Sequence, residues 1–208
     1  KDFSLVYDAG SNDDTAIGQK NRFTAYLRAA LPDLETIDHV VLSHPHRDHV
    51  ELLADVVLDY QVGDVWDAGV INPICGYRRF IEAIAQSPTV RYHSAANGAG
   101  AHELDFQKES CSKPELPAKV TVTHASRVVE NTSIPLGKKA TMTFLHVDGS
   151  RHGDDFNESS LVALVELDGT RVLLMGDAEA GGREQPSKPP TARSVEGYVL
   201  ATYRAQIN

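Results

Sequence analysis

Ser43-His44-Pro45-His46-Arg47-Asp48-His49 sets three histidines and an aspartate inside one short loop. It runs out of Ile37 to Leu42, an apolar, partly β-branched run that reads as a buried strand. It leads into Val50 to Leu58, whose apolar content predicts a helix. In an extended segment successive side chains alternate, so His44, His46 and Asp48 project to one side of the backbone and can converge. His49 opens the helix and approaches from a different direction, which suits a second cation close to the first. Imidazole and carboxylate are ligands that zinc, manganese and iron accept. No close cysteine pair accompanies them, which argues against a closed structural zinc site. The loop also sits at the strand edge where open α/β sheets present their active sites.

Working outward, Phe3 to Tyr7 predicts a strand that delivers Asp8 to a turn closed by Gly10. Phe23, Tyr26, Leu27, Ala30 and Leu31 have helical spacing over Lys20 to Leu31, and Pro32 ends that helix. A strand is expected from Val62 to Val70 and a helix from Tyr77 to Gln86, whereas Ser94 to Pro117 reads mostly as loop. Strands are then expected over Lys119 to Thr123, Ala140 to Val147, Ser160 to Leu167 and Arg171 to Met175. The last two are joined by Asp168-Gly169, a hairpin turn signal. Gly181 to Pro190 reads as a loop and Val195 to Ala205 as a final helix. Alternating strands and helices followed by hairpins predict an α/β sandwich, one domain over residues 1–208.

The 208 residues are 41% hydrophobic and 24% charged, ordinary for a globular domain. A net charge of −9 repels polyanions and counts against a nucleic-acid partner, although bound divalent cations would reverse the sign locally. Cys75 and Cys111 are the only cysteines, and either a single disulfide or two unpaired, partly buried thiols fits. No apolar run approaches the roughly 18 residues of a membrane span, and Lys1 to Gly10 is not a secretory signal. A soluble chain without membrane contact is therefore expected, its location and oligomeric state open.

Ser43 to His49 is similar to the H-x-H-x-D-H signature of the metallo-β-lactamase superfamily. Val6-Tyr7-Asp8-Ala9-Gly10 resembles its early strand and Asp-x-Gly turn, and Leu173-Leu174-Met175-Gly176-Asp177 its later strand and Gly-Asp turn. The resemblance implies an αββα sandwich and two divalent metal ions, zinc or alternatively manganese. Carried over residue by residue, His44 and His46 would hold the first metal and Asp48 and His49 the second, with Asp177 bridging. His146, at a strand end, would complete the first site, with His152 as its rival. Asp8 would lie behind the ligands and orient one of them. His39, His93, His102 and His124 are expected to be ordinary surface or half-buried histidines. The family normally has another histidine after the last strand, yet no histidine follows His152. The chain also begins almost on the Asp-x-Gly strand, so both ends read as cut short.

Two such cations lower the pKa of a shared water toward neutrality, which implies hydrolysis, with Asp48 and Asp177 as the catalytic carboxylates. Asn157-Glu158-Ser159-Ser160 followed by Gly176-Asp177-Ala178-Glu179 looks most like the hydrolase domain of ComEC-type DNA-uptake proteins. That likeness implies a phosphodiesterase or nuclease, with Asn157, Ser159 and Ser160 hydrogen-bonding the substrate. A carbon-centred hydrolase of a lactam, lactone or thioester uses the same metals on a small-molecule substrate. A non-catalytic metal-binding module is the reading from a different class.

Overall fold

Strand β2 (Thr36–Leu42) is almost continuously buried because both of its faces are covered, which is why its sequence is an apolar run rather than an alternation. In the computed structural model the described residues are 2–106, 111, 113, 115–153, 155–179 and 194–207. β2 lies between β1 (Leu5–Tyr7) and β3 (Gln61–Asp67) in a sheet that continues through β4 (Arg91–Ser94) and β6 (Lys119–Arg127) to β5 (Gly100–Asp105). All its pairings are parallel except that of the edge strand β5 with β6. A second, antiparallel sheet has the order β10 (Thr170–Leu174), β9 (Val162–Leu167), β8 (Ala140–His146), β7 (Ser133–Leu136).

Three apolar layers hold these sheets. Ile37, Val40 and Val65 of the first sheet pack with Leu27 of α1 (Arg22–Ala30), Leu53 and Val56 of α3 (Leu53–Asp59) and Phe80 and Ile81 of α4 (Cys75–Gln86). Val41 and Trp66 meet Met142, Phe144 and Ala163 between the sheets. Leu145, Val162 and Leu164 pack against Val195, Val199 and Tyr203 of α5 (Val195–Ile207). The result is an αββα sandwich, with helices on the outer face of each sheet.

Local chemistry explains several boundaries. Asn21 caps α1 by accepting the amides of Phe23 at 2.9 Å and Thr24 at 3.1 Å. Leu31, which precedes Pro32, has left the helical region with ψ 67°. The single helix expected over Val50 to Leu58 is instead two, α2 (Arg47–Val50) and α3. Ala9 causes the break: its amide takes the His49 carbonyl at 2.8 Å and its carbonyl takes the Leu52 amide at 3.0 Å, groups a continuous helix would use itself. The loop expected over Ser94 to Pro117 contains β5, which a polar, glycine-containing sequence hides and pairing with β6 creates. β4 and β7 likewise carry no strong period of their own. The Gly181 to Pro190 loop falls outside the described residues.

Cys75, at the start of α4, is bonded to Cys111, with Cα atoms 5.1 Å apart. Three of the histidines expected to be exposed or half-buried are instead buried: His39, His93 and His124. His93 is retained inside because its two ring nitrogens meet Asp64 and Ser126, each at 2.8 Å, while its ring stacks on Trp66 at 4.0 Å. No helix among the described residues is long and apolar enough to cross a membrane.

Reducing the disulfide is expected to lower the unfolding free energy by about 4 kcal/mol, from the chain entropy regained across its 36-residue separation. Urea denaturation with and without reductant reads this. A pH effect follows from His124, whose pKa burial, aided by His102, pulls from 6.5 to about 4. Between those values the unfolded chain takes up a proton that the folded protein refuses, so stability falls as pH drops through the window. His124→Phe is expected to flatten the decline in melting temperature between pH 7 and pH 4, and an unchanged slope contradicts the assignment.

Candidate metal centre

The parallel pairing of Tyr7 with Val41 brings the end of β1 beside the end of β2. Asp8 adopts φ 58°, a left-handed conformation that aspartate tolerates better than most residues. Its carboxylate thereby reaches the neighbouring loop: Oδ1 accepts the Ser43 amide at 2.7 Å, and Oδ2 lies 2.7 Å from the Ser43 hydroxyl and 2.8 Å from His49 Nδ1. Gly10 lets the following turn lie directly on α2, since a Cβ there would stand 2.5 Å from the Arg47 carbonyl oxygen.

His44 is fully buried, with Nδ1 at 3.0 Å from Ser43 Oγ and Nε2 at 2.9 Å from His46 Nδ1. Burial, with His49 and His46 adding to it, lowers its pKa to about 3, so the ring is neutral across the ordinary pH range and keeps a lone pair. Burial also opposes charge on His49, but Asp8, Asp177 and Asp48 outweigh it and its pKa is raised. His49 Nε2 stands 3.3 Å from Asp177 Oδ1 and 4.0 Å from Asp48 Oδ2. One ligand atom each from His44, His49 and Asp177 lie within 4.8 Å of one another.

Asp177 arrives from the second sheet. It follows β10 through Gly176, which has φ 56° and no room for a side chain: a Cβ would lie 2.7 Å from Ser43 Cβ. The side chains of Asp48 and Asp177 remain 40% and 45% exposed, so the centre opens to solvent on its carboxylate side. Imidazoles held beside the end of β2, the buried one of His44 neutral, with carboxylates opposite, are a donor set that fits a divalent cation. His46 and Asp48 stand outside that group of three: His46 Nδ1 is turned to His44 Nε2, and Asp48, inside α2, has Oδ2 4.0 Å from His49 Nε2.

The remaining expected residues are outside that group, although Ser160 lies against the Gly176 turn, where an added Cβ would stand 3.2 Å from its hydroxyl oxygen. The Nδ1 of His146 is 2.8 Å from the Ser160 carbonyl and its ring centroid 6.0 Å from that of Tyr198 on α5. A register shift between Phe144 and His146 marks this end of β8, and His146 is not in the cluster around His44. His152 pairs with Asp148 at 2.7 Å and is not in the cluster either. Asn157 donates to Glu179 at 2.8 Å, while Ser159 and Ser160 are fully buried. Sequence reasoning missed Ser43, whose importance comes from Asp8 lying against it across the sheet.

Gly176→Ala is expected to destabilise the protein by about 1–3 kcal/mol, through backbone strain and the clash with Ser43, and to weaken zinc binding. Gly169→Ala is the control. It shares the positive φ, at 82°, but has open space around it and sits in the β9–β10 hairpin. It should lose stability and keep zinc affinity in a calorimetric titration.

A comparison with protein families matches residues 1–206 to the metallo-beta-lactamase superfamily. No curated protein matches the chain. With the match covering nearly its full length and the histidine loop, Asp8 and Asp177 gathered at one end of the sandwich, the chain belongs to the metallo-beta-lactamase superfamily.

Proposed function

We propose that this chain is a metal-dependent hydrolase acting through His44, His46, Asp48, His49 and Asp177. Superfamily membership suggests such an activity. The observation that carries it here is the orientation of His49: Nδ1 is engaged by Asp8 while Nε2 faces Asp177 and Asp48 on the side open to solvent. Divalent cations bound there, zinc first and manganese as the alternative, would supply Lewis acidity and make water more acidic.

The chain's own groups have distinct tasks. His44, neutral and immobilised by burial, holds its nitrogen in place without competing protonation. Asp177 joins the second sheet to the histidine loop, and Asp48, which is partly exposed, is positioned to take a proton from attacking water. A cleft of about 420 Å³ is lined by Gly69, Ile71, Ala96, Glu103 and Arg151 among others, and by none of His44, His46, Asp48, His49 and Asp177. Its β3-side wall is tied to the histidine loop, because Asn72 donates to the Pro45 carbonyl at 3.0 Å.

Within this class the substrate reading is a phosphodiester, supported by the likeness of Asn157 to Glu179 to ComEC-type hydrolase domains. The −9 charge makes bound cations a requirement for holding a polyanion. The test is metal content together with hydrolysis of single-stranded DNA and bis-p-nitrophenyl phosphate, run beside nitrocefin, an acyl lactone and a thioester. Phosphodiester turnover is expected to need added metal and to fall at least about 100-fold in His46→Ala and Asp177→Ala. Turnover confined to the lactam, lactone or thioester overturns the phosphodiester reading. One tightly held metal with no turnover on any of them overturns the enzyme.

A further inference from the structure

Ser43 is fully buried, and its hydroxyl touches three groups at once: Asp8 Oδ2 at 2.7 Å, His44 Nδ1 at 3.0 Å and His49 Nδ1 at 3.5 Å. The hydrogens can be placed by counting donors. An ionised carboxylate only accepts, so both atoms against Asp8 Oδ2, the Ser43 hydroxyl and His49 Nδ1 at 2.8 Å, must donate to it. The hydroxyl has one hydrogen, and Asp8 takes it. What Ser43 then presents to His44 is a lone pair, so His44 Nδ1 carries the hydrogen and Nε2 is bare. That bare nitrogen is the one 2.9 Å from His46 Nδ1.

We propose that Ser43 is a positioning residue that relays the Asp8 carboxylate to His44, so that one carboxylate fixes the tautomers of both His44 and His49. This rests on the reading of those histidines as metal ligands. His49 is set by direct contact and His44 through the hydroxyl, and the two rings belong to the one cluster they form with Asp177. In the metal-free protein the hydrogen between the rings sits on His46 Nδ1, pointing at His44 Nε2. A cation held by these nitrogens would require that hydrogen to be on His46 Nε2 instead, so that both facing nitrogens are bare. Without the hydroxyl, His44 loses the acceptor that holds its hydrogen on Nδ1, and the hydrogen is free to occupy Nε2, where it blocks the metal.

Ser43→Ala removes only that oxygen. The Ser43 amide bond to Asp8 Oδ1 at 2.7 Å and the bond from the Leu161 amide to the Ser43 carbonyl at 2.9 Å are backbone contacts and persist. Two readouts separate positioning from simple support: ¹⁵N-detected histidine tautomers in metal-free protein and zinc affinity by competition with a chromophoric chelator. In the wild type His44 is expected as Nδ1–H, and His49 with a hydrogen on Nδ1. In Ser43→Ala His44 should shift toward Nε2–H while His49 is unchanged, and zinc affinity should fall about 10- to 100-fold. Ser43→Thr restores the hydroxyl and should recover both signals, whereas Asp8→Asn should disturb both histidines. His44 found as Nε2–H in the wild type, or a Ser43→Ala protein with unaltered tautomer and zinc affinity, overturns the relay and leaves the metal-binding reading standing. Wild-type protein that binds no zinc overturns that reading and the positioning role with it.

Discussion

The Asp8 carboxylate is the contact on which the centre depends. It accepts the Ser43 amide, the Ser43 hydroxyl and His49 Nδ1, all within 2.8 Å, and so ties the first strand of the sheet to the loop after the second. Two further constraints serve the same junction. Ala9 exchanges backbone hydrogen bonds with His49 and Leu52, which ends α2 after a single turn, and Gly10 lets the chain pass against the Arg47 and Asp48 carbonyls. The histidine loop is thus held from behind by backbone and carboxylate, leaving its ring nitrogens to face forward.

Among the buried carboxylates, Asp64 has the opposite character. Asp64 lies among Arg91 at 2.6 Å, His93 at 2.8 Å and His39 at 3.8 Å. Burial disfavours its charge, yet His93 and Arg91 more than offset this and its pKa is lowered. Such a group is fully compensated and reads as structure. At the candidate metal centre, by contrast, His49 is the only cationic partner of Asp48 and Asp177 among the described residues, and both carboxylates stay partly exposed. Carboxylates left open to solvent beside the buried, neutral His44 are the condition that a divalent cation satisfies.

How far the site was legible follows the same division. His44, His46, Asp48 and His49 are consecutive enough that strand alternation and one helical turn fix their mutual directions, and Asp8 and Asp177 follow short β-prone runs with glycine turns. His146 also ends a strand, but its ring meets Tyr198 of α5, and that outer helix has no trace in the local pattern of β8. The buried histidines show a related limit. Nothing adjacent to His93 in sequence announces Asp64 or Ser126, which reach it from β3 and β6.

By itself the sequence determined the elements with strong local signals: the apolar β2 run, the amphipathic α4, the Asp168-Gly169 hairpin and the ligand types gathered between Ser43 and His49. Only the tertiary structure decided that β5 is a strand, that Cys75 reaches Cys111, and that α2 and α3 are separate. It also decided that Ser43 stands between Asp8 and His44. The physical reason is range: periodicity and turn chemistry act over a few residues, whereas each of these features is made by a group from a distant segment that fills a hydrogen bond or a covalent partner the local sequence leaves open.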